Sequence, residues 1–226
     1  MKHKNSHLLV GYWSRLRCGR EVPDQTDIDP RAIKRMLSQV FILDVINPGR
    51  PIYRLAGTGL CERFGMELKG TGFLAQWEGG SGAALGSVLK QAMQSRQPVC
   101  LSAVGATADC GMVELETVLA PVTFNGGEPA RFVGLTQVLS DVAQLGGRPI
   151  AFQRLVASQL IREDEPLPPV ALPPPPPPQN QILRNHSKAP HLRLVVSRDR
   201  PSTVHTIGEE MMRRLFEMLG GDVTGA

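Results

Sequence analysis

Residues 166–178 constrain the fold of this chain more than any other segment, because nine of these thirteen residues are proline. Proline has no backbone N–H and a fixed φ, so that such a run cannot form a helix or a central strand. At about 3.1 Å per residue, a polyproline II spacer of roughly 40 Å is expected instead. The packed domain must therefore precede it, and residues 146–190 are predicted to be a linker that is disordered or in the polyproline II conformation.

Beyond this linker, residues 191–226 are predicted to contain a short strand and an amphipathic helix. The 226-residue chain is 42% hydrophobic and 20% charged, which is too apolar for disorder throughout. No segment has the run of about 18 apolar residues that a membrane span needs, and the first residues lack the apolar run of a signal peptide. A cytoplasmic location without a membrane span is therefore expected.

The net charge of +4 is too small and too evenly spread for a dedicated nucleic-acid-binding protein. One basic stretch, at residues 184–200, nevertheless leaves a nucleic-acid or scaffold adaptor open as an alternative function. A solvated linker is its simpler interpretation. Nucleic acid is therefore not the expected partner.

The first 38 residues are predicted to form a helical cap. Residues 8–18 place their apolar side chains on one helical face, and a second helix is expected after Pro30. Such an amphipathic helix either covers the core of its own domain or contacts a partner or a second copy. The residues that would form the dimer or partner interface are Tyr12, Trp13 and Leu16.

Residues 39–145 alternate between strand and helix patterns. Strands are predicted at 40–46, 52–57, 98–105, 112–123 and 131–140, and helices at 58–65 and 81–95. Asn125-Gly126-Gly127 is a typical turn between two antiparallel strands. Strands that are joined by hairpins and separated from the helices predict an α+β fold, with helices on one face of an antiparallel sheet.

Several short motifs, taken in order, carry a family resemblance. They are Trp13…Leu16…Gly19-Arg20…Val22-Pro23…Asp27-Ile28-Asp29-Pro30, Arg54-Leu55-Ala56-Gly57-Thr58, Phe64-Gly65…Leu68…Gly70 and Glu114…Leu119…Pro121. Over residues 11–140 the chain resembles a bacterial, alphaproteobacterial PAS-domain family formerly catalogued as a domain of unknown function. The resemblance implies a five-stranded antiparallel PAS sheet and a sensory or protein-interaction module that forms dimers. A resemblance in fold is only an analogy for function.

In such a domain a small ligand would lie between the sheet and the helices. Residues expected to line this pocket are Leu43, Tyr53, Leu55, Phe64, Leu68, Leu74, Leu85, Leu89 and Leu119. The same side chains are also the expected core, and the identity of any ligand is open.

Two familiar cofactors of sensory domains are not expected. A histidine-ligated haem needs an axial histidine, and no histidine lies between residues 8 and 185. The flavin photosensor motif has an asparagine before its cysteine and an arginine directly after it, whereas Cys61 lacks the asparagine and is followed by Glu62. No cysteine is part of a C-x-x-C motif, so that no metal site is predicted and free thiols in a reducing compartment are expected.

Glu114 and Glu116 are two residues apart and therefore share one face of a strand. A small α+β enzyme that uses this pair as acid and base is the alternative function. No neighbouring histidine, nucleophile or metal-ligand cluster supports it, and no enzyme activity is expected. The family pattern has a glutamate at position 114, which implies a structural ion pair, with Arg54 as the expected partner. Without a recognisable output domain, the chain is expected to act as a homodimer or through a signalling partner.

Overall fold

The computed structural model of the chain describes residues 1–45 and 50–162. The proline run at 166–178, the basic stretch at 184–200, and the strand and helix predicted for residues 191–226 lie outside the described residues. The described part of the chain forms an antiparallel sheet with apolar clusters on both faces.

Three α-helices and six strands make up this part of the chain. In chain order they are α1 (Lys4–Leu16), β1 (Val40–Asp44), β2 (Ile52–Ala56), α2 (Thr58–Phe64), α3 (Gly80–Ser95), β3 (Val99–Ala106), β4 (Met112–Val122), β5 (Arg131–Val138) and β6 (Phe152–Leu160). The strands lie in the order β2-β1-β5-β4-β3-β6, and all neighbouring pairs are antiparallel. The predicted α+β class is therefore confirmed. None of the helices in the described ranges has the length and apolar character of a membrane span.

Strand β6 departs from the sequence-based expectation, which had five strands and began the linker at residue 146. It pairs with β3 along the whole length of that strand. Without it, the backbone groups on one side of β3 would be unpaired at the sheet edge. The folded domain consequently extends to Ile161, which is buried, and the linker prediction is wrong for residues 152–160.

The two faces of the sheet carry separate apolar clusters. Helices α2 and α3 pack on one face, here called the helical face. Helix α1 and the segment that follows it pack on the other, here called the N-terminal face. In β4, Leu115 and Leu119 belong to the helical face, whereas Ala120 and Val122 belong to the N-terminal face. A strand segment that is covered on both faces is apolar on both, and residues 118–122 therefore show no alternation of apolar and polar side chains.

The N-terminal cap has one α-helix where two were expected. Helix α1 begins at Lys4, before the predicted start at residue 8. The segment after Pro30 is a series of turns closed by hydrogen bonds between residues three apart, and it leads into a short 3-10 helix. With three residues per turn, Ile33 and Met36 lie on the same side, and both are buried. The apolar spacing therefore reflects a tighter turn than an α-helix.

The carboxylate of Asp24 attaches this cap to the turn between β4 and β5. It accepts hydrogen bonds from the Thr123 hydroxyl (2.7 Å), the Gly126 N–H (2.9 Å), the Thr26 N–H (3.0 Å) and the Thr26 hydroxyl (2.8 Å). Burial of Asp24 opposes its ionisation, but these donors outweigh burial and lower its pKa to about 2. Asp24 is therefore ionised at neutral pH and holds the two segments together.

Candidate functional site

The predicted pocket residues lie mostly on the helical face, where eight of the nine meet in one apolar cluster. Leu74 is partly buried at its margin. The other seven are buried in it: Leu43, Tyr53, Phe64, Leu68, Leu85, Leu89 and Leu119. Because these side chains pack against one another, the expected pocket lining is at the same time the core of the domain.

Leu55 is the exception and lies in the cluster of the N-terminal face. Strands β1 and β2 shift register by one residue, so that Leu43 pairs with Tyr53 whereas Ile42 pairs with Leu55. Arg54 is the extra residue of this bulge, and it turns Tyr53 and Leu55 to opposite faces. Simple alternation along the strand puts both on one face, and the expectation for Leu55 is therefore wrong.

Four aromatic rings form the centre of the helical-face cluster. The ring of Phe73 lies 5.8 Å from that of Phe41, 5.6 Å from that of Tyr53 and 5.9 Å from that of Trp77, measured between centroids. Phe41 and Tyr53 also meet edge to face, at 5.5 Å. Offset and edge-to-face ring pairs of this kind contribute about 0.5–1.5 kcal/mol each beyond their burial. Of these four rings, the sequence-based expectation included only that of Tyr53.

Buried hydrogen-bond donors without acceptors lie beside these rings. The Tyr53 hydroxyl donates to Gln76 Oε1 at 3.2 Å, and burial raises the pKa of Tyr53 well above its usual value, so that the phenol stays neutral. Gln76 Nε2 and the indole Nε1 of Trp77 are both buried and have no hydrogen-bond partner within residues 1–45 and 50–162. Most buried polar groups in folded proteins are paired, so that two unpaired donors on adjacent residues make this position a candidate binding site.

Arg63 on α2 presents a third unpaired group. Its Nε and Nη1 atoms are buried and have no acceptor among the described residues. The Arg63 carbonyl accepts the Ile150 N–H at 2.8 Å, which puts the connection between β5 and β6 next to α2. Leu145 and Ile150 of that connection are buried in the helical-face cluster. The connection therefore covers part of the helical face beside an unpaired guanidinium.

The cysteines near the two clusters are held as thiols. Cys61 on α2 lies 3.8 Å from Glu67 Oε1 (Sγ to oxygen), and burial raises its pKa. Burial also raises the pKa of Cys100, to about 12, with the Glu116 carboxylate adding to the effect. Thiolate chemistry is therefore disfavoured at both cysteines. No group of three or more histidine, cysteine or acidic side chains suited to a metal ion occurs in residues 1–45 and 50–162.

Glu114 and Glu116 lie on the N-terminal face and have different surroundings. Glu116 is buried and accepts hydrogen bonds from the backbone N–H groups of Lys2 (2.5 Å) and His3 (3.0 Å). Burial opposes its ionisation, but the donors outweigh burial and lower its pKa. Glu114 is exposed and pairs with Lys2 Nζ at 3.7 Å. Glu116 thus anchors the segment before α1, and no acid and base pair is poised here.

The expected ion pair between Glu114 and Arg54 is not formed. Arg54 pairs instead with Asp44 at 3.2 Å, and Arg131 pairs with the same carboxylate at 2.6 Å. Strands β1 and β5 separate β2 from β4, which puts the strands of Arg54 and Glu114 about 14 Å apart across the sheet at the usual strand spacing of about 4.8 Å. The strand order, which the spacing of residues along the chain does not reveal, decides these partners.

A family model of the PAS domain matches residues 1–137, more than half of the 226 residues. The chain belongs to the PAS-domain family. The matched residues of this PAS domain include α1 and most of β5, so that β6 lies beyond them.

Solved structures that are similar to this PAS domain include two LOV domains. The light-state structure of the blue-light photoreceptor Aureochrome1 LOV is 13% identical, with a TM-score of 0.39 over 50% of this chain and 91% of that chain. The Rhodobacter sphaeroides LOV protein is 16% identical, with a TM-score of 0.38 over 51% of this chain and 70% of that chain. No curated protein matches the chain.

Helix α1 of the PAS domain covers its own sheet. Trp13 is only 4% exposed, and its indole N–H donates to the Pro121 carbonyl at 2.7 Å. The Tyr12 hydroxyl accepts the Asp29 N–H at 2.7 Å, and Tyr12 and Leu16 are partly buried against the same cluster. Of the two roles considered for this helix, the structure shows the covering of its own core. Trp13 is therefore not available as a partner contact.

A polar cleft of about 490 Å³ lies between the segment that follows α1 and the turn between β4 and β5, and nothing in the sequence pointed to it. Arg20 pairs there with Asp27 at 2.5 Å, and Arg96 bridges Glu21 and Glu128. These ion pairs tie the cap to the end of α3. The charged residues that line the cleft are therefore accounted for by ion pairs and hydrogen bonds within the domain.

Proposed function

We propose that this PAS domain is a sensory module that binds a small molecule at the helical face and signals through contact with another protein chain. PAS domains are sensory rather than catalytic as a class, and the buried donors of Gln76 and Trp77 carry the ligand part of the proposal. An unpaired buried donor costs about 1–3 kcal/mol, which an acceptor on a ligand would recover. The residues that would receive the ligand are thus already in place.

The chemistry of these donors defines the class of ligand. The Gln76 amide and the Trp77 indole are neutral donors that suit carbonyl or ring-nitrogen acceptors. The Arg63 guanidinium suits a carboxylate or a phosphate. The neighbouring rings of Tyr53, Phe73 and Trp77 make the surroundings of these donors apolar and aromatic, which suits a flat molecule. A small, flat molecule rich in acceptors is therefore the proposed ligand.

The rest of the proposal concerns the cellular compartment of the protein and the way in which it passes on a signal. All four cysteines are free thiols, two of them exposed, and this agrees with a reducing, cytoplasmic compartment. Glu116 is occupied by backbone donors, which favours a binding module over an acid–base enzyme. Such a binding module would act through a second copy or a signalling partner.

Native mass spectrometry of the freshly purified full chain tests the ligand part. We expect a retained small-molecule mass on the wild type and its loss in Gln76→Leu and Trp77→Phe, which remove the donors and leave an apolar side chain at each position. Trp13→Phe, which removes an indole N–H on the N-terminal face, is the matched control and should keep the mass. A wild type without any retained small molecule, or equal retention in all variants, contradicts the proposed site.

A further inference from the structure

The outer edge of β6 is open over its second half. This strand is the last of the sheet, and in the described part of the chain the only strand it pairs with is β3. In its first half, the Gln153 carbonyl accepts the Glu78 N–H at 2.8 Å, and the Leu155 N–H donates to Ser81 Oγ at 3.2 Å. Beyond these contacts, residues 156–159 are all exposed. The segment at the start of α3 therefore covers one half of the edge and leaves the other half uncovered.

The register of β6 shows which of its backbone groups point away from β3. The Ile161 N–H donates to the Pro98 carbonyl at 2.8 Å. In an antiparallel ladder, residues that bond to the neighbouring strand alternate with residues whose N–H and C=O groups point the other way. Gln159 therefore bonds to β3, whereas Ser158 and Leu160 direct both backbone groups to the outer side. No hydrogen bond from another described segment reaches them there.

The open half of this edge has no charged residue and no proline to prevent further pairing. Edge strands of folded proteins commonly carry such residues, because unpaired N–H and C=O groups are a template for another strand. Residues 155–160 have the sequence Leu-Val-Ala-Ser-Gln-Leu. The bulge at Val156 distorts only the start of this stretch, and the pairing with β3 is regular over residues 157–160. An extended segment can therefore add to the sheet here.

We propose that residues 191–197 of the same chain pair with this edge as a seventh strand. The chain leaves β6 at the end of the open edge and continues beyond Arg162 to residue 226. Residues 191–197, His-Leu-Arg-Leu-Val-Val-Ser, are the strand that the sequence pattern predicts in this stretch. They lie outside the described residues, so that the proposal combines the open edge with the pattern of the sequence that follows it.

The side chains of the two strands are compatible. Alternate residues of a strand share one face, which places Leu192, Leu194 and Val196 together. On β6, Leu155 and Leu160 are partly buried at the margin of the helical-face cluster. The three apolar side chains would extend this cluster past β6, and the apolar surface buried in this way would stabilise the added strand.

The sequence between β6 and this segment is long enough to turn back to the edge. The proline run at 166–178 is expected to span about 40 Å. The residues on its two sides, 163–165 and 179–190, span at most about 50 Å when fully extended. A tethered segment also meets the edge at a higher effective concentration than a free peptide or a second copy does. The chain's own segment is therefore the favoured occupant.

This pairing would return the C-terminal part of the chain to the PAS domain. The amphipathic helix that is predicted after residue 197 would then begin beside the sheet, and not at the far end of the proline run. The inference concerns the backbone of β6 and goes beyond the proposed function, because it does not depend on a ligand at the helical face.

Amide hydrogen exchange of the full chain, measured by NMR for each residue, tests the inference. In the wild type, we expect the N–H groups of Ser158 and Leu160 to exchange slowly, as the N–H of Gln159 does. Leu194→Pro removes an N–H from the middle of the added strand and should speed exchange at Ser158 and Leu160 at least about tenfold, with Gln159 unchanged. Gln179→Pro, which only lengthens the proline run, is the matched control and should leave all three rates as they are.

A second pair of variants tests the same contact from β6. Ser158→Pro removes an N–H on the outer side and leaves the bonds to β3 in place, because proline is tolerated on an open edge. We expect it to speed exchange within residues 191–197. Ser158→Ala keeps the N–H and is its matched control.

Several results would overturn the inference. Fast exchange at Ser158 and Leu160 in the wild type would mean that nothing pairs with the edge. Slow exchange that Leu194→Pro does not change would mean that another occupant covers it, and protection that rises with protein concentration would identify this occupant as a second copy. Equal effects of Leu194→Pro and Gln179→Pro would exclude pairing through residues 191–197.

Discussion

The indole N–H of Trp13 donates to the carbonyl oxygen of Pro121 at 2.7 Å, in the buried interface between α1 and β4. This bond gives the amphipathic helix one defined position on the sheet, because an unpaired indole there would carry the cost of a buried donor. Replacement of Trp13 by phenylalanine keeps most of the apolar contact but removes the bond. We expect Trp13→Phe to lower the free energy of unfolding by about 1–3 kcal/mol.

Urea denaturation of the full chain measures this loss, with Tyr12→Phe as the control. Tyr12 is the neighbour of Trp13 and is only partly buried, so that its change should be smaller. An equal or larger effect at Tyr12 would show that the position of α1 does not depend on the Trp13 bond.

Gly134 of β5 is a second position at which the structure predicts the effect of a substitution on stability. It lies opposite Phe41 of β1, and a methyl group there would overlap the Phe41 ring. Because Phe41 is part of the aromatic centre, it has no room to move aside. We expect Gly134→Ala to destabilise the domain by about 1–3 kcal/mol, as other overpacked cores do.

Gly86→Ala in α3 is the matched glycine substitution, and we expect it to stabilise the domain instead. A methyl group at Gly86 makes only an ordinary contact with Leu74, and alanine favours the helix by up to about 1 kcal/mol. Thermal unfolding of both variants compares them directly. Equal effects of the two substitutions would contradict the close contact at Phe41.

The pKa of Asp24 predicts how stability depends on pH. Its value in the folded chain is about 2, below the value of about 3.9 expected when unfolded. The unfolded chain therefore binds the proton more readily, so that the contribution of Asp24 is complete above about pH 4 and is lost as the pH falls towards 2. The difference in unfolding free energy between wild type and Asp24→Asn should shrink over that range. A difference for Asp24→Asn that stays constant as the pH falls towards 2 would contradict the assignment.

The thiols should fall into two classes of reactivity. Cys18 and Cys110 are exposed, whereas Cys100 is buried and Cys61 is partly buried, both with raised pKa values. With a thiol-specific chromogenic disulfide at pH 8, we expect two cysteines of the native full chain to react quickly and two slowly. All four should react quickly in denaturant. Fast reaction of four thiols in the native chain would show that the clusters around Cys61 and Cys100 are open.

Local patterns were sufficient for most of the secondary structure. Helix α3 and strands β3, β4 and β5 lie within about two residues of their predicted bounds. Their side chains repeat with the period of one helix turn or of two strand residues, and the turn at Asn125 is encoded in three neighbouring residues. These signals need no knowledge of the rest of the chain, and they were enough to indicate an α+β fold with an antiparallel sheet.

The sequence alone thus determined which segments are strands and helices, because periodicity and turn chemistry are properties of neighbouring residues. Only the tertiary structure decided that β6 continues the sheet, that the bulge at Arg54 turns Leu55 away from Tyr53, and that Glu114 lies far from Arg54. Each of these depends on which strand lies beside which, and long-range pairing leaves no local pattern.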